Sequence, residues 1–312
     1  MAEKGTLAES DIKRNPHPDF KKVESSRPPW DGSSTFHYTQ TVAPDWAFGD
    51  GANAAHADAD TNGTAKSHIT IDPYADGRPA VFNYKLLISA IIPRPIAFVS
   101  TRSADGQTTN LAPFSYFQMI NHDPPLFVVG FASPLDPARS KDTLRHLVES
   151  RECVVNIISD GFVEAANATS VNAPWGRSEW AVSGLTPAYD CVDVRCARVR
   201  EAVFSVEAKL ESVREFESRG TPGKKTGTLA ILEGTRFWVR EDAINEERNI
   251  VDPAVGGSVF CARYMLNELA NPSPGVAAHQ PAGRHYVRKD HRGDRAPTAR
   301  FPEGPGGAGR LR

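Results

Sequence analysis

Two long runs in the second half of the chain constrain its fold more than any other feature. Val203 to Val213 alternates Val, Phe, Val, Ala and Leu with Ser, Glu, Lys and Glu, and Thr228 to Val239 alternates similarly. A period of two marks strands with one face buried. The basic, turn-rich stretch Gly220-Thr-Pro-Gly-Lys-Lys-Thr-Gly227 between them predicts that the two strands pair as neighbours. Shorter runs repeat the theme upstream. Ile96 to Thr101 is rich in β-formers, Asp105-Gly106 is a hairpin-turn dipeptide, and Leu111 to Phe117 returns as a second strand. Leu126 to Phe131 reads as a third, wholly buried strand and Cys153 to Ile158 as a fourth.

Helices are fewer. One is predicted after Ser140, its N-cap, with Leu144, Leu147 and Val148 facing inward and Lys141, Asp142, Arg145 and Glu149 facing out. A second covers Gly161 to Thr169, and a short helical piece at Glu179-Trp180 follows the loop Pro174-Trp175-Gly176. The pattern is mainly β with helices, an α+β arrangement that fits a closed β-barrel better than a parallel α/β sheet.

Composition bounds the function. With 40% hydrophobic and 24% charged residues in 312, the chain can bury a sizeable core. A formal net charge of -2 supplies no field to gather nucleic acid or an anionic membrane, which favours a small-molecule substrate. No run approaches a membrane span and the N-terminus lacks the apolar region of a secretory signal, so a cytoplasmic location is expected. The four cysteines, Cys153, Cys191, Cys196 and Cys261, are too few and irregular for a disulfide framework. Cys153 reads as a small core residue, and no metal site is assigned. Residues 1–71, rich in Pro, Asp, Gly and Ala, are expected to form an extended, partly disordered arm. The folded domain spans 72–265, and 266–312, dense in Arg, Gly and Pro, should be a disordered tail.

Three tempting motifs fail on context. Gly304-Pro-Gly-Gly-Ala-Gly309 satisfies GxGxxG but follows no strand and precedes no helix. Gly223-Lys-Lys-Thr-Gly227 lacks the first glycine of a phosphate loop and carries lysine where Ser or Thr must hold magnesium. His279, His285 and His291 recur in the predicted tail, where nothing rigid fixes a ligand geometry.

The segment from Pro93 to Ser115 differs in kind. A strand ending in Ser100, Thr101 and Arg102 returns as Asn110-Leu111-Ala112-Pro113, concentrating polar donors and a proline-fixed backbone at one hairpin. A planar polar ring such as a flavin needs amide and hydroxyl groups along its edge, and its phosphate needs N–H groups, hydroxyls and a cation. A plain solvated hairpin accounts for the same residues, and the residues alone leave both readings open.

The ordered motifs PRPIAFVSTRSADGQTTNLAPFSYF, HDPPLFVVGF, SKDTLRHL and CVVNI together resemble the flavin reductase-like family of FMN-binding split barrels, over about Asp72 to Asp252. The resemblance implies a homodimer with FMN near the subunit interface. It implies that Arg94, Ser100, Thr101 and Arg102 line the flavin, and that the backbone of Asn110, Leu111, Ala112 and Pro113 meets the ring edge. Ser115 would approach the ribityl or phosphate end. Ser140, Lys141, Asp142 and Thr143 would hold the phosphate, in keeping with the anion affinity of a helix start. The expected activity is reduction of FMN by NADH or NADPH, with electrons passed to an acceptor or a monooxygenase partner and no catalytic side chain needed. The alternative is a flavin carrier without its own nicotinamide activity. One departure stands out: where relatives close the domain with Arg-Leu-Gly-Gly and a tyrosine, this chain has Ala254 to Tyr264, with Arg263-Tyr264 only a faint echo.

Overall fold

The computed structural model describes residues 24–29, 40–52, 67–171 and 173–256. The closing segment from 257, the tail, Cys261 and the spaced histidines lie outside the described residues. Residues 40–52 belong to a separate unit built of turns, in which Trp46 Nε1 donates to the Gly51 carbonyl at 2.9 Å and the Trp46 ring meets Phe48 edge-on.

The main unit is built on seven antiparallel strands. They are β1 (Ala97–Arg102), β2 (Thr109–Phe114), β3 (Phe117–His122), β4 (Pro125–Phe131), β5 (Glu152–Ile157), β8 (Phe204–Glu217) and β9 (Lys225–Val239). Two-residue strands β6 (Pro187–Ala188) and β7 (Arg198–Val199) pair separately. The order β2-β1-β5-β8-β9-β4-β3 places β2 and β3 at opposite ends of the sheet. Only Ser115 and Tyr116 separate those strands in sequence, so the sheet must curl until its ends meet. Gly130 extends the β3–β4 pairing back to that two-residue connection. Its N–H donates to the Tyr116 carbonyl at 2.7 Å, and a Cβ there would come within 3.0 Å of the Tyr116 Cβ.

The long hairpin β8–β9 forms as its alternation predicts, and its turn carries Gly223 at φ +80° with Lys225 paired to Glu217. Two expectations shift. The strand expected over Leu111 to Phe117 ends at Phe114 and β3 begins at Phe117, because the chain turns at Ser115 and Tyr116. The strand at Leu126 to Phe131 is not wholly buried: Phe127, Val129 and Phe131 are buried while the alternate residues are partly exposed.

Helices α1 (Ala80–Ala90), α2 (Asp142–Ser150), α3 (Val163–Ala168), α4 (Glu179–Ser183) and α5 (Pro253–Gly256) complete the unit. The barrel interior gathers Val99, Phe127, Val129, Val155, Val206 and Leu232, with Leu144 and Leu147 of α2 joining it. A second cluster forms where α3 and α4 cover the outer face of β1 and β2, through Phe98, Leu111, Phe162, Val163 and Trp180. Strand β1 is therefore buried on both faces. The Asn156 side chain ties the two layers, donating to the Phe98 carbonyl and accepting from the Val199 N–H and Ser205 Oγ.

Candidate functional site

Antiparallel register sorts the hairpin residues by face. Ser100 pairs with Leu111 and Thr101 with Asn110, and successive side chains alternate. Thr101, Asn110 and Ala112 thus share the face of Val99 and Ala97, towards the barrel interior. Ser100, Leu111 and Pro113 share the opposite face with Phe98. Ser100, Thr101, Asn110 and Leu111 are all buried, whereas Arg102, Ala112, Pro113 and Ser115 are half-exposed.

Helix α2 brings the second group of residues to this hairpin. Thr143 Oγ1 donates to Asn110 Oδ1 in a short hydrogen bond. The helix starts one residue later than expected: its N-cap is Lys141, not Ser140, and no side chain caps it. Ser140 instead points its hydroxyl at the Lys141 carbonyl. An uncapped start leaves first-turn N–H groups directed at an anion. Lys141 is exposed and Ser140 and Asp142 half-buried around it. Burial raises the Asp142 carboxyl above its ordinary range, against the pull of Lys141 and Arg145. Val148, expected inside, is exposed; His146 and Thr143 take the buried face beside Leu144 and Leu147.

Two polar residues complete the arrangement that sequence reasoning missed. His146 is enclosed between hydroxyls, Thr101 Oγ1 at 3.3 Å from Nδ1 and Thr108 Oγ1 at 3.0 Å from Nε2. Desolvation pulls its pKa down, and the ring bridges β1 and the turn that leads into β2. Trp175 meets it edge-on, with the Arg145 guanidinium 3.9 Å above the indole. Glu179, the first residue of α4, is only 4% exposed. Its Oε2 accepts from Asn110 Nδ2 at 2.8 Å and from the Leu111 N–H at 3.3 Å. Burial pushes its carboxyl up to about 7. Neither stands out in the sequence: His146 follows Arg145 within a helix patterned as amphipathic, and Glu179 follows Arg177-Ser178 at the start of a short helical piece.

The remaining expected residues lie towards the hairpin ends. Arg94 donates to the carbonyls of Ile88 and Ile91 at the end of α1. Ser115 stands five residues beyond Asn110, roughly 16 Å along an extended chain, away from the Asn110–Thr143 contact. Arg102 crosses the turn, with Nη1 donating to the Arg195 carbonyl and Nε buried without a partner among the described residues. Gly106, at φ +74°, makes room for it, since a Cβ there would fall on the guanidinium. A groove of about 340 Å³ opens elsewhere, along α1, lined by Ile71, Arg78, Phe82, Lys85, Leu86 and Ser89. It lacks the convergence of buried polar groups seen at the hairpin.

Residues 89–255, more than half of the chain, match the flavin reductase like domain family. The chain belongs to that family. The uncharacterized protein YwrF of Bacillus subtilis is 31% identical over 214 residues, covering 69% of this chain and 92% of its own. Nitrilotriacetate monooxygenase component B from Bacillus cereus superimposes with a TM-score of 0.57 at 30% identity, over 63% of this chain and 92% of that one. A Shewanella frigidimarina flavin reductase-type protein with a split barrel domain, at 19% identity and a TM-score of 0.50, covers 59% of this chain and 86% of its own and shares the fold. The curled seven-stranded sheet is thus a split barrel. Its donor set suits the flavin of the family: an uncapped helix start with Ser140 and Lys141 offers phosphate chemistry, and the end strand β2 offers backbone groups beside Ala112 and Pro113.

Proposed function

We propose that this flavin reductase-like protein binds FMN along the β1–β2 hairpin, with the phosphate at the start of α2, and works as an NAD(P)H-dependent flavin oxidoreductase. The observation that carries the reading is the junction of hairpin and helix through Asn110 and Thr143. It joins the two sequence motifs that resemble flavin-binding segments into one surface. Bound FMN supplies hydride acceptance from nicotinamide and electron release to an acceptor.

The protein's part is positional. Exposed Lys141 and the Ser140 hydroxyl attract and orient the phosphate together with the first-turn N–H groups. Ala112, Pro113 and Ser115 border the ring, and Arg102 offers a cation at the far end of β1. Ser100, Thr101 and Leu111 act from within, holding the backbone that faces the ligand. The half-exposed border of the site at Ala112, Pro113 and Ser115 is consistent with a homodimer that covers it. Likeness to a monooxygenase component B favours a monooxygenase as the recipient of electrons.

The experiment is an absorption spectrum of the purified protein followed by nicotinamide oxidation with added FMN. A flavin band with turnover of NADH or NADPH is expected. A flavin band without turnover of either would leave a carrier, and failure to bind FMN would refute the reading.

A further inference from the structure

We infer that Glu179 is a positioning residue for the flavin-facing strand, holding Asn110 and Leu111 in place, and that its ionisation weakens FMN binding. The inference rests on the proposed flavin site. The geometry begins with β2, which ends the sheet and so has no strand partner on its outer side. Glu179 supplies that partner from α4, meeting the Leu111 N–H and the Asn110 amide with a single oxygen. The other end of the Asn110 amide accepts from Thr143. One chain of hydrogen bonds therefore runs from α4 through β2 to the first turn of α2, joining the strand proposed to meet the ring and the helix proposed to meet the phosphate. Beside it, Ser178 Oγ and Thr109 Oγ1 make a second contact between the same elements at 2.9 Å.

No cation is bonded to this carboxylate among the described residues. Strand β2 carries no charged residue, and α3, packed on α4, carries only the exposed Glu164. From α2 the nearest charge is Asp142, which acts against ionisation; Arg145 and Glu149 pair with each other and His146 is held by threonines. Glu179 stays protonated until near neutrality for these reasons, desolvation first. When it ionises, an uncompensated negative charge appears beside Asp142, close to where a phosphate dianion would sit. The buried carboxylate also gains by reaching water, which parts α4 from β2. Both effects act in one direction: FMN binds the protonated form better, and binding raises the proton affinity of Glu179.

The test compares the full chain with Glu179→Gln, which keeps a carbonyl acceptor for Asn110 and Leu111 and cannot ionise. FMN dissociation constants are measured by flavin fluorescence at steps between about pH 6 and about pH 8.5. Each unit by which FMN raises the Glu179 pKa gives about a tenfold loss of affinity across the window. The wild type should weaken more steeply than the variant, whose remaining slope is that of the FMN phosphate itself. Superimposable profiles would overturn the inference while leaving the flavin site intact. A parallel arm needs no flavin: hydrogen exchange of Thr109–Phe114, corrected for intrinsic rates, should show protection falling with pH in the wild type and constant in the variant. If the wild type binds no FMN, the functional reading fails and this arm alone decides Glu179; equal protection in both proteins would again overturn it.

Discussion

Replacing Glu179 by Gln should change the pH dependence of stability in a defined direction. Burial lifts the carboxyl from 4.5 in the unfolded chain to about 7 in the fold. The folded state therefore holds the proton more tightly, and this contribution is complete below about pH 4.5 and lost progressively as pH rises to about 7. Two and a half units correspond to about 3 kcal/mol. Gln preserves the size of the side chain and its acceptor while removing the titration. Urea unfolding of both proteins, followed between about pH 5 and about pH 8, should show the wild type losing up to about 3 kcal/mol relative to the variant. In thermal scans the variant's advantage at the alkaline end should be about 5–10 °C. His146 contributes the opposite trend, because its neutral form is favoured in the fold and stability falls as pH drops below about 6.5. It is common to both proteins and cancels in the difference. Parallel curves would refute the assignment of Glu179 as a buried, proton-holding carboxyl.

Three further substitutions probe the architecture. Asn156→Ala removes the bonds to Phe98, Val199 and Ser205 from a fully buried site and should cost about 2–4 kcal/mol in urea unfolding. His146→Ala leaves the Thr101 and Thr108 hydroxyls unpaired around a cavity; a loss of about 2–4 kcal/mol is expected, and an unchanged midpoint would contradict its bracing role. Gly130→Val places side-chain atoms against Tyr116, in the connection between β2 and β3, and should lower stability by about 1–3 kcal/mol, with a smaller effect meaning that this connection can shift aside without penalty.

The parts of the fold legible in the sequence are those where local pattern and tertiary demand agree. The alternation through β8 and β9 and the Asp105-Gly106 turn specify their pairing before any contact is known. Helix α1 leaves no amphipathic signal in the sequence, because Ala80–Ala90 is largely apolar without a period and only Ile88 of it is buried. Val148 shares the helical spacing of Leu144 and Leu147, which predicts it inside, yet it is exposed. The buried arc of α2 instead follows Thr143, Leu144, His146 and Leu147, because Asn110, Thr101 and Thr108 offer partners that make polar burial cheap. Ser140 was expected to cap α2, yet the helix begins past it at Asp142.

At the candidate site, the motifs located the surface but not its internal support. Asn110 and Thr143 were singled out as ligand residues from opposite ends of the sequence motifs, and they are bonded to each other. Glu179 and Ser178, about seventy residues downstream of β2, carry no motif of their own. Their role arises from a long-range contact that only the folded chain supplies.

The central claim is that the start of α2 receives the phosphate of a flavin held along the β1–β2 hairpin. Its most direct test is a fluorescence titration of FMN against riboflavin, in the wild type and in a Ser140→Ala, Lys141→Ala double variant. The account predicts that the wild type binds FMN about tenfold or more tighter than riboflavin, and that the double variant loses most of that preference while still binding riboflavin. Equal affinity of the wild type for the two ligands, or a preference for FMN that survives the double substitution, would contradict it.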